Sequence, residues 1–317
     1  MNEFELIQRF FTPDNGHDSV RLGVGDDGAV MVPETGRDLV TVVDTLVESI
    51  HYPADLMPRE VGYRAVAVNL SDIAAMGARP RWMTLALTVP EANEGWLEGF
   101  AAGLFEAASE HGVVLIGGDT TRGAQTVITV QITGDVAKSR ALHRSGALVG
   151  DDIYVTGTIG DAKAWLDSRE DDDIDDAVRF YFRRRFAGPD ARVELGQALP
   201  GIASAAIDIS DGLHTDLQKL LAASGAGGDI EIDALPISKA LGSIHEPADA
   251  SMLALGAGDD YELCFTAPPN RADDIAILAV QYDVPITRIG SVTDADELRC
   301  LRDGQPVAVE ERGYVHF

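Results

Sequence analysis

Short apolar runs alternate with helical patterns through the first half of the chain. Runs rich in Val, Thr and Leu at 39–43 and 82–89 predict strands. Between them, the apolar spacing at 58–76 predicts a helix that ends near Gly77, because glycine readily adopts the left-handed backbone that closes a helix. This succession is typical of an α/β fold.

A second helix is indicated by apolar side chains that recur at every fourth position. They are Trp96, Phe100, Leu104 and Ala108. Gly112 predicts the end of this helix, and the apolar run at 113–116 predicts a strand that leads directly into a glycine loop. A further strand is predicted at 126–132.

The second half of the chain repeats this α/β pattern. Its predicted strands lie near 153–156, 205–209, 230–232 and 262–266. The polar, glycine-bearing stretch 138–152 is the candidate boundary, and a chain of 317 residues exceeds the size that one hydrophobic core usually serves. We therefore expect two domains, 1–137 and 138–317.

The charge of the chain limits what it binds. Its 52 acidic and 25 basic residues give a formal net charge of -27, and only four of the basic residues are lysines. Such a surface repels nucleic acid, so we expect no nucleic-acid partner. It also repels a nucleotide or phosphorylated substrate unless cations stand between the phosphates and the carboxylates. Any phosphate chemistry here is therefore expected to require a metal.

Cysteine content and terminal composition bear on the compartment. Cys264 and Cys300 form no CxxC motif, which favours a reducing compartment. The first 11 residues lack the basic and apolar regions of a signal peptide, and no run of about 18 apolar residues occurs. We expect a cytoplasmic protein without a membrane span.

Aspartates interrupt five apolar segments beside glycine, serine or threonine. The segments are GVGDDGAV (23–30), TVVDTLV (41–47), AVNLSDIAAMG (67–77), VLIGGDTTRG (114–123) and AAIDISDGL (205–213). A single aspartate of this kind more often caps a helix or closes a turn. A set within apolar elements, with few lysines to pair it, favours divalent cations, and magnesium suits a phosphate site. A non-enzymatic protein that merely buffers calcium or magnesium is the alternative.

Glycines precede two of these aspartates, at Gly23 and Gly25 and at Gly117 and Gly118. Such glycines allow backbone N–H groups to approach an anion, although ordinary strand-to-helix turns have the same composition. The chain has no Walker A loop, no HRD or DFG motif and no EF-hand spacing. Phosphoryl transfer would need another scaffold.

Eight motifs carry a family resemblance. In chain order they are GVGDDGAV, DTLVESIHY, AVNLSDIAAMGARP, LIGGDTTRG, LHRSGALVGD, YVTGTIGD, AIDISDGL and GDDYELCF. Together with the terminal GYVHF, they resemble the bacterial thiamine-monophosphate kinases, within the superfamily that includes aminoimidazole ribonucleotide synthetase. The resemblance extends over about residues 4–317 and implies ATP-dependent phosphorylation of thiamine monophosphate to thiamine diphosphate.

The resemblance also implies an architecture and a set of site residues. An N-terminal domain would bind metal and ATP and join its sheet to that of a partner in a homodimer, and a C-terminal α/β domain would complete the active site. The implied ligands of several Mg²⁺ ions are Asp27, Asp44, Asp72, Asp119, Asp208 and Asp211. The implied ATP contacts are Gly118, Asp119, Arg144 and Ser210. The implied substrate contacts are His51, Asp259 and Tyr314.

The sequence departs from the family pattern at two places. Asp259 stands where relatives commonly have glutamate, and the shorter side chain puts its direct substrate contact in question. Val42 and Val43 precede Asp44 where many relatives have Ser or Thr followed by Asp or Thr, so those two side chains offer no metal contact.

The expected chemistry needs no nucleophile and no general base, and none is assigned. The acceptor phosphate has a second pKa near 6, so its oxygen is already largely deprotonated at neutral pH. Direct transfer of the γ-phosphoryl group needs alignment and charge neutralisation, which magnesium ions and Arg144 would supply. Other ATP-using enzymes of the superfamily are the alternative: an amidine-forming purine enzyme, a hydrogenase maturation factor or, disfavoured because no cysteine precedes Cys264, a selenophosphate synthetase.

Overall fold

The structure is a computed structural model that describes residues 3–12 and 17–309. The chain divides into two compact units. Unit 1 comprises Met1–Ile73 and Ala78–Ala141, and unit 2 comprises Ala74–Gly77 and Leu142–Phe317. The domain ranges expected from the sequence, 1–137 and 138–317, stay a prediction.

Unit 1 is built on a four-stranded sheet. Its helices are α1 (Glu3–Phe10), α2 (Pro58–Ala75) and α3 (Glu94–Glu110). Its strands are β1 (Val20–Leu22), β2 (Val30–Met31), β3 (Arg37–Val47), β4 (Arg79–Val89), β5 (Val114–Arg122) and β6 (Val127–Ala137). Strands β1 and β2 pair with each other, and the sheet has the order β3-β6-β4-β5, with only the β4–β5 pair parallel.

The two faces of this sheet differ in composition. One face carries buried apolar side chains, among them Leu85, Leu87, Ile128, Val130 and Ile132. The opposite face carries threonines and Gln131 that hydrogen-bond between neighbouring strands. These bonds join Thr41 to Thr133 at 3.1 Å, Thr45 to Thr129 at 2.8 Å, Thr84 to Gln131 at 3.2 Å and Thr88 to Thr121 at 2.8 Å. Strand alternation thus gives a sheet with one apolar and one polar face.

Strand β5 corrects one expectation. The sequence predicted a strand at 113–116 followed by a glycine loop, but the strand continues through Gly117, Gly118 and Asp119 to Arg122. Its pairing with β4 slips between Met83 and Thr84, and a Cβ on Gly118 would lie 1.9 Å from the Leu85 carbonyl oxygen. The glycine is needed for close strand approach, not for a turn.

Unit 2 is built on a seven-stranded sheet. Its strands are β7 (Asp152–Thr156), β8 (Ala205–Asp208), β9 (Gly227–Glu231), β10 (Leu263–Ala267), β11 (Ile286–Thr293), β12 (Leu298–Arg302) and β13 (Gln305–Pro306). Its helices are α4 (Asp161–Ser168), α5 (Asp176–Ala187), α6 (Val193–Ala198), α7 (Leu213–Ser224), α8 (Leu241–Ile244), α9 (Pro247–Gly256) and α10 (Ala272–Gln281), besides 3₁₀ turns at Ile232–Ala234 and Pro269–Arg271. The strand order is β13-β12-β9-β11-β7-β10-β8.

Four of the seven strands of unit 2 match the sequence expectation, and β11, β12 and the two-residue β13 were missed. Strands β7, β8, β9 and β10 coincide with the predicted runs within a few residues, and each contributes to one buried core, through Ile153, Ile207, Ile230 and Cys264 respectively. Strands β11 and β12 contain Arg288, Gly290, Arg299 and Arg302, which interrupt the apolar pattern on which strand prediction depends. In the described residues, no helix combines the length and apolar character needed to cross a membrane.

Candidate active site

A cavity of about 520 Å³ in unit 1 brings two of the aspartate motifs together. Its walls come from the glycine-rich segment 23–29, the first part of β5, Thr84 and Leu85 of β4, and Ile7 and Phe11. The predicted site residues on these walls are Asp27, Gly118 and Asp119, with Asp26 beside them. The cavity thus combines carboxylates with glycine backbone, as a site for metal-bound phosphate requires.

The aspartates at this cavity are exposed, which corrects the expectation that the whole set lies in apolar surroundings. Asp26, Asp27 and Asp119 are open to solvent, whereas Asp208 in unit 2 is only 4% exposed. The reason is local: segment 23–29 runs outside the main sheet, and Asp119 follows the point where β5 leaves the buried core. Exposure lowers the cost of keeping these carboxylates charged before a cation binds.

The donor set fits magnesium that is shared with a phosphate. Within residues 3–12 and 17–309, no group of three or more His, Cys, Asp or Glu side chains is arranged to hold a metal by itself. Magnesium commonly takes one or two protein carboxylates and fills its other positions with water and substrate phosphate oxygens. Asp27 and Asp119, which both line this cavity, offer that number of carboxylates.

Asp44 and Asp72 lie elsewhere in unit 1. Asp44 of β3 pairs with Val130 of β6, and Val130 pairs in turn with Leu85 of β4. Asp119 of β5 pairs with Ala86, the next residue of β4. Neighbouring positions of a strand point to opposite faces, so this register assigns Asp44 and Asp119 to opposite faces of the sheet. Asp72 is half-buried in α2.

His51 is oriented by a tight turn after β3. The Val47 N–H donates to Nδ1 of His51 at 3.0 Å, and the His51 N–H donates to the Val47 carbonyl oxygen at 2.9 Å. Ser49 has a left-handed φ of 64° within this turn. Because Nδ1 accepts, the neutral imidazole carries its proton on Nε2, which is then a donor on the other side of the ring.

In unit 2, the AIDISDGL motif spans the end of β8 and the start of α7. Asp208 closes the strand, and Ser210 and Asp211 follow in a short loop before the helix. Asp211 does have a cationic partner, since its Oδ2 accepts from Nζ of Lys219 at 2.5 Å. Oδ2 of Asp216, a residue that the sequence did not single out, accepts from the backbone N–H groups of both Ser210 and Asp211 at 2.9 Å.

The GDDYELCF motif forms a loop that packs on this segment. Asp259 and Tyr261 both have left-handed backbones, with φ of 70° and 51°. The Asp259 N–H donates to the Ser210 carbonyl oxygen at 2.9 Å, and the Tyr261 N–H donates to that of Ile209 at 2.8 Å. The Tyr261 hydroxyl donates to Oδ1 of Asp259 at 3.3 Å. Asp259 and Ser210, predicted to contact substrate and ATP, are thus brought together.

A buried ionic network is centred on Glu262, the residue that follows Tyr261 in this motif. The Glu262 carboxylate is fully buried and accepts from Thr156, Arg185 and Arg192, with Arg192 bidentate at 2.6 and 2.7 Å. Burial alone would lower the pKa of Arg185, but neighbouring carboxylates, Glu262 first, raise it above its usual value. Sequence inspection missed this network because its partners are distant along the chain.

Arg144 lies in the exposed loop that leads from unit 1 into β7. Its carbonyl oxygen accepts from the Ser224 hydroxyl at 3.1 Å, and the neighbouring His143 carbonyl oxygen accepts from the Ala206 N–H at 3.0 Å. The loop is thereby fixed to the end of α7 and the start of β8. Tyr314, the remaining predicted substrate contact, lies outside the described residues.

Comparison with protein families and sequences gives a consistent result. Residues 25–136 match the family described as AIR synthase related protein, N-terminal domain, and residues 149–302 match AIR synthase related protein, C-terminal domain. The thiamine-monophosphate kinase of Escherichia coli (strain K12) is 45% identical to this chain over 324 residues, which cover 99% of this chain and 98% of that protein.

Two solved structures extend the similarity. Thiamine-monophosphate kinase from Stenotrophomonas maltophilia K279a gives a TM-score of 0.86 at 42% identity, covering 92% of this chain and 93% of that one. AaThiL complexed with AMPPCP and TMP gives a TM-score of 0.79 at 30% identity, covering 90% of this chain and 89% of that one.

Proposed function

The chain belongs to the thiamine-monophosphate kinases among the AIR synthase related proteins, and we propose that it transfers the γ-phosphoryl group of ATP to thiamine monophosphate, forming thiamine diphosphate. The observation that carries this proposal is the cavity where Asp27, Gly118 and Asp119 meet. The complex of the relative AaThiL with AMPPCP and TMP supports the same pair of substrates.

The residues of the chain would bind and orient both substrates. In unit 1, Asp27 and Asp119 would hold magnesium at the cavity, Asp44 and Asp72 would hold it elsewhere in the unit, and the backbone at Gly118 would lie against ATP. In unit 2, Asp208 and Asp211 would also hold metal, and Ser210 and Arg144 would contact the nucleotide. Bound magnesium would supply neutralisation of the phosphate charges, which a chain of net charge -27 cannot provide alone.

The transfer would occur directly between the two substrates. The bond between the γ-phosphorus and its bridging oxygen breaks, a bond forms to an oxygen of the acceptor phosphate, and ADP leaves. His51 would donate from Nε2 to the acceptor, and Asp259 would bind the thiamine portion together with Tyr314. A direct transfer inverts the configuration at phosphorus, so retention with a chiral γ-phosphate would exclude it.

We also propose a cytoplasmic homodimer with domains 1–137 and 138–317. The exposed threonines Thr41 and Thr45 of the unit 1 sheet support the dimer, because they offer a second sheet a polar surface on which to pack. Two free, buried cysteines, Cys264 and Cys300, support a reducing compartment.

The deciding experiment incubates the purified protein with ATP, magnesium and thiamine monophosphate and separates the products by chromatography. Thiamine diphosphate and ADP should appear in equal amounts. Free thiamine should be a very poor acceptor because it lacks the phosphate that metal contacts would align. Comparable kcat/KM for thiamine and thiamine monophosphate would overturn the assigned reaction.

Site variants test the individual roles. Asparagine at Asp44, Asp72, Asp119 or Asp208 should lower kcat by about a hundredfold or more. Asp18→Asn, at an exposed aspartate of unit 1, is the matched control and should leave kcat unchanged. Asp259→Ala should raise KM for thiamine monophosphate more than KM for ATP, whereas Asp259→Glu should be tolerated. Full activity of all four asparagine variants would remove the metal ligands from the proposal.

A further inference from the structure

Helix α7 contacts two separate loops of unit 2 through polar side chains at its two ends. From its first two turns, Asp216 and Lys219 reach the 209–212 loop. At its last residue, Ser224 reaches the 144–147 loop. These loops carry Ser210 and Arg144, the two nucleotide contacts that the proposed function assigns to unit 2.

Asp216 holds the first loop through its backbone. One carboxylate oxygen accepts from two successive N–H groups, those of Ser210 and Asp211, both at 2.9 Å, and the residue is only 1% exposed. Gly212, at φ 116°, carries the chain from this loop into the helix. Asp216 therefore fixes the direction of the two peptide groups that carry Ser210 and Asp211, in the way a reciprocal cap fixes a helix start.

Lys219 adds a second set of contacts to the 209–212 loop. Its ammonium donates to Oδ1 of Asp216 at 2.9 Å and to Oδ2 of Asp211 at 2.5 Å. It therefore balances the buried carboxylate and sets the side chain of Asp211 as well as its backbone. An ammonium group has three donors, and these two bonds hold it against the loop.

Ser224 holds the second loop in a similar way. Its hydroxyl oxygen accepts from the N–H groups of Gly146 and Ala147, both at 3.1 Å, and its proton is donated to the Arg144 carbonyl oxygen at 3.1 Å. A Cβ on Gly146 would lie 2.5 Å from the Ser204 carbonyl oxygen, so the loop is also packed closely on its other side. One hydroxyl thus makes three bonds to the loop of Arg144.

We propose that Asp216 and Ser224 are positioning residues for ATP, and that α7, which contacts both loops, sets the spacing between Ser210 and Arg144. The proposal rests on the proposed function. Neither side chain touches the nucleotide in this scheme; each orients a loop that does. Because both are on one helix, loosening either end should weaken ATP binding. Thiamine monophosphate binding should be retained in Ser224→Ala, because the bonds of Ser224 go to the 144–147 loop and not to the loop that holds Asp259.

The first experiment measures loop order directly. Hydrogen exchange with mass spectrometry would compare the wild type, Asp216→Ala, Ser224→Ala and the control Gln218→Ala, a neighbouring position of α7. Asp216→Ala should speed exchange in the peptide around 210–211 and Ser224→Ala in that around 146–147, while Gln218→Ala changes neither. Unchanged exchange at both loops would show that Asp216 and Ser224 do not order them, and this result holds even if the protein proves not to be a kinase.

The second experiment measures binding of AMPPCP with magnesium by calorimetry and KM for both substrates. Asp216→Ala should weaken AMPPCP binding by about tenfold, since two partly buried N–H groups lose their acceptor. Asp216→Asn retains an acceptor oxygen and should recover most of the affinity, as should Ser224→Thr relative to Ser224→Ala. These conservative variants keep the test valid if Asp216→Ala does not fold.

Two results would overturn the role in ATP positioning. One is faster loop exchange in Asp216→Ala and Ser224→Ala while both variants keep an AMPPCP affinity within about twofold of wild type. The order of the loops would then have no effect on nucleotide binding. The other is an equal rise in KM for thiamine monophosphate and ATP in Ser224→Ala, which a general structural role would give. Failure of the kinase reaction itself would instead appear in the wild type, as absence of thiamine diphosphate.

Discussion

The buried Glu262 carboxylate of unit 2 leaves no room for a side chain at Gly157. A Cβ on Gly157, whose φ is 58°, would lie 2.0 Å from Oε1 of Glu262. If the carboxylate moved away from position 157, it would lose its hydrogen bonds to Arg185 or Arg192, both of which are shorter than 3 Å. The absence of a side chain at Gly157 is therefore a condition for this buried network.

Gly157→Ala should destabilise unit 2 by about 3–5 kcal/mol, because displacing Glu262 leaves buried charges without partners. Gly225→Ala is the matched control. It has a similar φ of 66° but nothing within 4 Å of its Cβ, so it should cost only the left-handed strain of about 1–2 kcal/mol. Denaturant unfolding would measure both, and equal losses would mean that φ alone governs the two sites.

Asp260 gives a pH dependence with a defined sign. It is 1% exposed, its Oδ2 accepts from the Gly160 N–H at 2.8 Å, and burial raises its pKa well above the usual value. Gly160 and Arg185 oppose this rise, whereas Asp161 and Glu262 reinforce it. The folded state therefore binds the proton more tightly than the unfolded state, and this contribution to stability is lost as the pH rises toward the folded-state pKa.

Asp260→Asn should remove that contribution while keeping an acceptor for Gly160. The free energy of unfolding of the wild type, relative to the variant, should fall as the pH rises from about 4, the pKa of an unfolded aspartate. Denaturant unfolding of both proteins across several pH values would measure the difference. A difference that stays constant with pH would contradict the assignment.

At the scale of elements, α2 and α3 contact each other backbone to backbone. A Cβ on Gly62 of α2 would lie 2.0 Å from the Phe100 carbonyl oxygen, and a Cβ on Gly103 of α3 would lie 1.8 Å from that of Arg59. The apolar spacing in the sequence predicted both helices. Their close approach depends on glycines that the apolar pattern leaves undistinguished.

Gly103→Ala should separate the two helices and lower the free energy of unfolding by about 1–3 kcal/mol or more. Gly95→Ala in the first turn of the same helix has its nearest neighbour at 3.6 Å and should instead stabilise by about 0.5–1 kcal/mol through helix propensity. Thermal and denaturant unfolding would compare them. A neutral Gly103→Ala would show that the helices can move apart without cost.

At the scale of the molecule, the polar sheet face of unit 1 bears on assembly. Val43 is 60% exposed on this face, between Thr41 and Thr45 in β3. If the face pairs with a second copy, Val43→Glu should bury an unpaired charge and give a monomer. Light scattering after size exclusion would measure the mass. Val280→Glu, at an 84% exposed valine of α10, is the control and should not change it.

The net charge of -27 predicts a salt dependence for the whole protein. Raising NaCl from about 0.05 M to about 1 M shortens the Debye length from over 10 Å to about 3 Å and screens repulsion between carboxylates. The Tm should rise by several degrees in metal-free buffer. Sucrose at equal osmolality is the control for solvent exclusion, and an equal rise in sucrose would remove self-repulsion as the cause.

The sequence by itself determined the family and many of the elements. Regular apolar spacing predicted α2, α3 and most strands, since a helix or strand buries one face at a fixed period. Motifs with aspartate beside glycine, such as those around Asp27 and Asp119, indicated the cavity residues. The resemblance added roles for Arg144, Ser210 and Asp259. All of these signals are local, because each occupies a few consecutive positions.

Only the tertiary structure decided how those residues are supported. Ser224 and Gly146 are 78 positions apart, and Arg192 and Glu262 are 70 apart, so no local pattern relates them. Gly118 shows the same limit: its sequence context suits a turn, yet pairing with Leu85 makes it part of a strand. Burial and hydrogen bonding depend on contacts between segments that are distant along the chain. Local sequence patterns do not show which of these segments pack together.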